Sequence, residues 1–145
     1  RIARVHLVIA ASSQFTASLW HPGFLLTMTY CLLLYYHLWF HQAIEEHNIV
    51  RHDHGLQILE IDEKLMKEAN AHAIWMTKNE TLQHSSIRYG AENIARARVS
   101  PKKMVEMWMN SPGHRRNILD PRYTRIGVAV YKSTGGKYYW CTRFR

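Results

Sequence analysis

Two stretches of the chain concentrate the residue types that do acid–base or metal chemistry. The first is Leu82-Gln83-His84-Ser85-Ser86, continued by Tyr89-Gly90-Ala91-Glu92-Asn93-Ile94-Ala95. The second is Trp108-Met109-Asn110-Ser111-Pro112-Gly113-His114-Arg115-Arg116-Asn117-Ile118-Leu119. Between them they supply two imidazoles, His84 and His114, and one carboxylate, Glu92. Imidazole nitrogen and carboxylate oxygen suit zinc, and a catalytic zinc keeps three protein ligands and an open position for water. His84, His114 and Glu92 meet that number but come from three separate segments, so spacing alone does not bring them together. The chain has no HExxH, which would set two ligands on one helical face.

The same three groups could instead move protons, since a histidine with a carboxylate neighbour is a usual transfer pair. A hydrolase would then need a nucleophile. Ser85 and Ser86 adjoin His84, yet there is no GxSxG elbow and no recognisable third member. A third alternative is a buried polar network that fixes the fold. Other candidates have structural readings. His72 falls near an apolar helical stripe and reads as a hydrogen-bonded core or cleft-edge residue. His47, Asn48 and Arg51 read as hydrogen-bond formers that tie a helix to loops, and Asn93 and Asn117 as partners for backbone groups beside the site. Tyr89 fits a cleft entrance or an aromatic packing role. Met104, Met107, Trp108 and Met109 read as core.

The elements that must position these groups are legible from capping and period. Gln42 to His54 forms a first helix that stops at Gly55, a favoured C-terminal residue. Asp62 caps a second helix running to about Asn79, with Leu65, Ala69, Ala73 and Met76 on one stripe. Ser100-Pro101 starts a third helix, whose buried face is Met104, Val105, Trp108 and Met109. A short fourth helix opens at Ser111-Pro112 and closes at Asp120-Pro121. The period then becomes two: Ile126, Val128 and Val130 alternate with Gly127, Ala129 and Tyr131. Thr134-Gly135-Gly136 turns this strand into another from Lys137 to Phe144, a hairpin, and a further extended piece lies near Ala91 to Ala95. The fold class is α+β, with helices covering an antiparallel sheet.

The division expected is an apolar leader helix within residues 1–40 and a globular domain, residues 41–145. No Asp, Glu, Lys or Arg occurs from Val5 to Ile44, and Phe24 to Phe40 is almost wholly apolar, with Tyr35, Tyr36, Trp39 and Phe40 crowding its end. Seventeen such residues sit at the lower edge of what spans a bilayer, and aromatics gather at membrane interfaces. Arg1 and Arg4 precede the run while Glu45 and Glu46 follow it, which by the positive-inside bias predicts an exported domain. With no small-x-small cleavage site after the run, an uncleaved signal-anchor is expected over a removed signal peptide. A core helix packed on the domain is the alternative.

The net charge of +8 comes from scattered positives, the pairs Lys102-Lys103 and Arg115-Arg116 among them. Scatter of this kind reads first as a solvated face, then as attraction to anionic cell-wall polymers or acidic lipid headgroups. Nucleic acid is not expected, because there is no recognised module and no aromatic–basic ladder. Cys31 and Cys141 cannot build a zinc site alone, and two unpaired thiols are expected over a disulfide joining leader to last strand.

Taken with His47-Asn48-x-x-Arg51 and His54-Gly55-Leu56, the Gly90-Ala91-Glu92-Asn93-Ile94-Ala95 and Ser-Pro-Gly-His-Arg-x-Asn-Ile-Leu elements resemble the bacterial SCP-like branch of the CAP superfamily. The match keeps the family's order from about Glu45 to Phe144; residues 1–40 have no counterpart. The resemblance implies an α-β-α sandwich around a central antiparallel sheet. It also implies a cleft lined by two histidines and two acids, with which zinc is associated. Carried across by motif, the histidines are His84 and His114 and one acid is Glu92. The second acid falls at Ser111, so the set is incomplete, and Glu106 belongs to another helix face. Cleft residues are therefore expected at His84, Glu92, His114, Tyr89 and Ser111, with His84, His114 and Glu92 as metal ligands. The function expected is an extracellular or surface-displayed binding module for a lipid, glycan or cell-wall component, with membrane attachment through the leader. The alternatives are a zinc-dependent, peptidase-like hydrolase and a purely structural adhesion module.

Overall fold

A computed structural model describes residues 22–86 and 89–145, with side chains inside the first helix described from Leu38 onward. Helix α1 (Pro22–Asp53) joins the expected leader helix to the predicted first helix, passing unbroken through residues 40 and 41. The expected leader's residues 1–21 lie outside the described residues, as do the side chains of 22–37 and so that of Cys31. Among the described residues, no helix is long and apolar enough to cross a membrane. At its other end α1 stops for a local reason. Gly55 adopts φ +68°, and the Leu56 amide bonds back to Arg51 O at 2.9 Å while the Gly55 amide bonds to His52 O at 2.9 Å. This paired return satisfies the last carbonyls and needs a left-handed residue that glycine adopts without strain.

Strand β1 (Glu60–Ile61) follows, and Asp62 then caps α2 (Glu63–Lys78), its Oδ1 accepting the Leu65 amide at 2.9 Å. Strand β2 (Ala91–Arg96) leads to α3 (Pro101–Met109), where Ser100 Oγ accepts the Lys103 amide and Pro101 occupies the first turn. Helix α4 (Pro112–Ile118) and the hairpin of β3 (Arg125–Lys132) and β4 (Tyr138–Phe144) complete the chain. The sheet order is β1-β3-β4-β2. It is antiparallel except at one edge, where β1 runs parallel to β3 and pairs Glu60 with Arg125. Two residues are too few to show a period, which is why this strand and its direction were not expected.

Side-chain alternation sorts the helices into two layers. One sheet face presents Ile126, Val128, Val130, Trp140 and Phe144 to Ala43 and Ile44 of α1, Met104, Val105 and Trp108 of α3, and Ile118 of α4. The opposite face presents Ile94, Ala129, Tyr139 and Cys141 to Ala69, Ala73 and Met76 of α2. The result is the expected α-β-α sandwich. On the α2 side the approach is close at Gly127, where a Cβ would lie 2.2 Å from the Leu65 backbone carbonyl carbon. Arg51, fully buried, ties the other layer together. Its guanidinium donates to the carbonyls of Gln57, Ile118, Asp120 and Tyr123 at 2.8–2.9 Å. Asn48 and Leu59 exchange a reciprocal pair at 3.0 and 2.7 Å, so Arg51 and Asn48 tie the helix to loops as expected.

Candidate functional site

The candidate site straddles edge strand β2, and its centre is Glu92. Gly90 delivers the chain into the strand at φ +83°, and a Cβ there would lie 1.9 Å from Phe144 O. Register then sets Glu92 opposite Arg143 of β4, on the α2 side of the sheet. The carboxylate is only 2% exposed. Oε1 accepts from His84 Nδ1 at 2.8 Å and from the Ser85 amide at 3.0 Å. Oε2 accepts the Ser85 hydroxyl at 2.7 Å and lies 2.9 Å from Arg143 Nε. That last approach is off the N–H line, so it acts as an ion contact and not a hydrogen bond. Arg143 Nη2 completes the ring by donating to Ser85 Oγ at 2.5 Å. Burial alone would push the Glu92 carboxyl up; the Ser85 hydroxyl and amide, His84 and the Arg143 charge outweigh it and hold the group below its usual range.

Two further residues approach this carboxylate. His72, buried on α2, has Nε2 at 4.0 Å from Oε2, but it donates to Gln83 O at 2.8 Å and stacks on Trp75. The Cys141 thiol is free, buried, and 3.8 Å from Oε2; burial and the neighbouring carboxylate push its pKa up. Glu92 is thus a saturated acceptor. An ionised carboxylate only accepts, so His84 Nδ1 carries the proton, and no described residue bonds His84 Nε2.

The opposite wall is α4. Ser111 stands at the helix start but its hydroxyl makes no capping bond; instead Oγ lies 2.9 Å from His114 Nδ1. Asn93, on the other face of β2, donates to His114 O at 3.1 Å. Asn117 donates to Asn93 Oδ1 at 2.8 Å and to Glu92 O at 3.4 Å. These bonds pin α4 along the sheet edge, so both asparagines satisfy polar groups beside the site. Burial, then the proximity of His84, lowers the His114 pKa.

The two walls enclose a cleft of about 450 Å³ lined by His84, Ser85, Gly90, Ala91, Glu92, Gly113, His114, Arg116 and Asn117. The structure therefore brings His84, Glu92 and His114 to one place. Ser111 acts on it through His114, and Tyr89, 82% exposed, precedes the cleft without lining it. The donor set fits zinc in part. His84 and His114 each keep Nε2 free of protein bonds among the described residues, and Glu92 backs His84 as outer partners of metal-bound imidazoles do. Both Glu92 oxygens are committed, however, and among the described residues no group of three His, Cys, Asp or Glu is placed to hold a metal ion. Arg143 and Cys141, missed as site residues in the sequence, carried one usable signal. They share the strand face opposite the apolar Trp140 and Phe144, and a buried arginine there needs an acid across the sheet.

The family model described as the cysteine-rich secretory protein family (CAP) matches residues 44–144. An uncharacterized protein of Bacillus subtilis, YkwD, is 37% identical over 108 residues, covering 63% of this chain and 42% of its own. An uncharacterized membrane protein of the same organism, YlbC, is 34% identical over 114 residues, covering 68% and 32%. The chain thus spans less than half the length of these relatives. Among solved structures, an extracellular protein containing an SCP domain from Bacillus anthracis superposes with TM-score 0.64 at 27% identity, covering 73% of this chain and 40% of that one. An outer surface protein of Borrelia burgdorferi shares the fold, with TM-score 0.60 at 23% identity, covering 70% and 86%.

Proposed function

We propose that this chain, which belongs to the cysteine-rich secretory protein (CAP) family, is an exported, noncatalytic binding module whose His84–His114 cleft holds a lipid, glycan or cell-wall ligand. The observation that carries this reading is the saturation of Glu92. Its oxygens are occupied by His84, Ser85 and Arg143, so the cleft's only carboxylate among the described residues is neither a free base nor an open metal ligand. Ser85, beside His84 in sequence, has its hydroxyl held between Glu92 and Arg143, and Ser111, whose Oγ lies 2.9 Å from His114 Nδ1, has no carboxylate behind that imidazole among the described residues. What stays available is a polar hollow edged by two imidazoles, a guanidinium and an amide, which suits recognition. Export draws support from the extracellular and outer-surface proteins that share the fold. Attachment through the leader rests on the apolar run 24–40 and on the membrane protein among the relatives.

A zinc-dependent hydrolase is the second reading, favoured by the carboxylate behind His84. Calorimetric titration of the full chain with zinc, alongside the His84→Ala/His114→Ala double variant, separates the two. Under the binding reading, zinc uptake is weak or absent and turnover on peptide and ester panels is nil. Stoichiometric uptake, lost in the double variant together with a measurable hydrolytic rate, would establish the hydrolase.

A further inference from the structure

Charge accounting around the cleft points to the chemistry of its ligand, on the premise that the cleft is a binding site. Glu92 is offset by Arg143 at 2.9 Å. Asp120 is offset by Arg122, which reaches both its oxygens, with Nη2 at 2.6 Å, and more weakly by the nearby charge of Arg51. Both local carboxylates are therefore neutralised. Arg115 and Arg116 on α4 have no carboxylate partner among the described residues; Arg115 meets only His54 Nε2, at 3.3 Å. Arg116 is the residue common to two adjoining hollows. One is the cleft; the other, about 480 Å³, is lined by Arg115, Arg116, Leu119, Asp120, Pro121 and Arg122.

The rim between the hollows thus presents an unpaired guanidinium beside the imidazoles of His84 and His114, none of them acidic. The guanidinium donates, His114 Nε2 donates when its Nδ1 accepts the Ser111 hydroxyl, and His84 Nε2, with the ring proton on Nδ1 toward Glu92, is an acceptor. We infer that Arg116 is the anchor for an anionic phosphate ester, seated with its charged oxygens between Arg116 and His114. Guanidinium is suited to this because its planar fork matches the phosphate oxygens and is weakly hydrated. Leu119 and Pro121 give the neighbouring hollow an apolar floor on which the ester's carbon portion can rest. The same site takes a free phosphate ester or the headgroup of an acidic phospholipid, because the recognised group is identical.

The test uses the full chain, with Arg116→Gln as the variant and Arg98→Gln as control. Arg116 is exposed and bonds nothing among the described residues, so its loss leaves the protein folded; Arg98 is another exposed arginine, beyond the far end of β2. Calorimetry at low salt with glycerol phosphate and inorganic phosphate should give saturable binding. Affinity should fall about tenfold in Arg116→Gln and stay unchanged in Arg98→Gln. Flotation with phosphatidylcholine vesicles, with and without phosphatidylglycerol, then identifies the source. Retention that needs phosphatidylglycerol and Arg116 assigns a lipid headgroup; binding of the soluble esters alone assigns a free one. Equal losses in both variants would reduce the effect to net charge and overturn the assignment. Capture of an uncharged glycan with no phosphate binding would overturn it too while sparing the binding reading, whereas stoichiometric zinc uptake with hydrolysis would remove that reading itself.

Discussion

His47 should make the fold acid-labile above the range where carboxylates titrate. It is fully buried; Nδ1 donates to Ala43 O at 2.6 Å and Nε2, between the rings of Trp108 and Phe144, has no partner among the described residues. Burial, with a smaller push from the Arg51 charge, lowers its pKa to about 4 against a raising effect of the Ala43 bond. The unfolded chain takes up this proton near pH 6.5. Between those values the unfolded state binds a proton that the native state refuses, so stability rises with pH and is lost on acidification. Integrated for one site, the loss from about pH 7.5 to about pH 4.5 is about 2.5 kcal/mol. Urea denaturation of wild type and His47→Gln at both pH values measures it, the glutamine being neutral throughout. The variant will be less stable at the higher pH but should lose about 2.5 kcal/mol less on acidification. Equal losses in the two proteins would refute the reasoning, because the acid sensitivity would then belong to other groups.

Arg51→Met should cost about 3–5 kcal/mol in urea denaturation, since it strands four carbonyls that the guanidinium now satisfies. Arg143→Gln should move the Glu92 carboxyl pKa upward, followed by carboxyl-carbon NMR titration, because it removes the positive charge at 2.9 Å. Gly127→Ala should destabilise by more than about 2 kcal/mol or displace α2, as its Cβ meets the Leu65 backbone and not a flexible side chain; a shift in melting temperature reads this out.

What could be seen in the sequence was what short-range physics determines. The Asp62 and Ser100 caps, the Gly55 stop, the α2 stripe and the β3–β4 alternation each reside within a few residues, and each appears where expected. The motif match also named the three groups that meet at the cleft. The network around Glu92 was not legible, because it depends on the pairing of β2 with β4, which are distant in the chain. Only that register sets Arg143 and Cys141 against the carboxylate. Likewise, nothing in the local pattern at Ser111 shows that its hydroxyl abandons the helix amide for His114. The unbroken run of α1 escaped notice for a different reason: a change of composition near residue 41 resembles a boundary, but backbone hydrogen bonds are indifferent to it.

The thiol of Cys141 has a consequence for how the domain endures its surroundings. Thiolate, and not thiol, attacks disulfides and reacts with peroxide. Here burial and the Glu92 carboxylate keep the sulfur protonated and screened from solvent. In an oxidising medium it is a slow partner for mixed disulfides or sulfenic acid, and in a reducing one Cys141 holds no crosslink to lose. The sheet that carries the cleft is, at this position, insensitive to the redox potential on either side of a membrane.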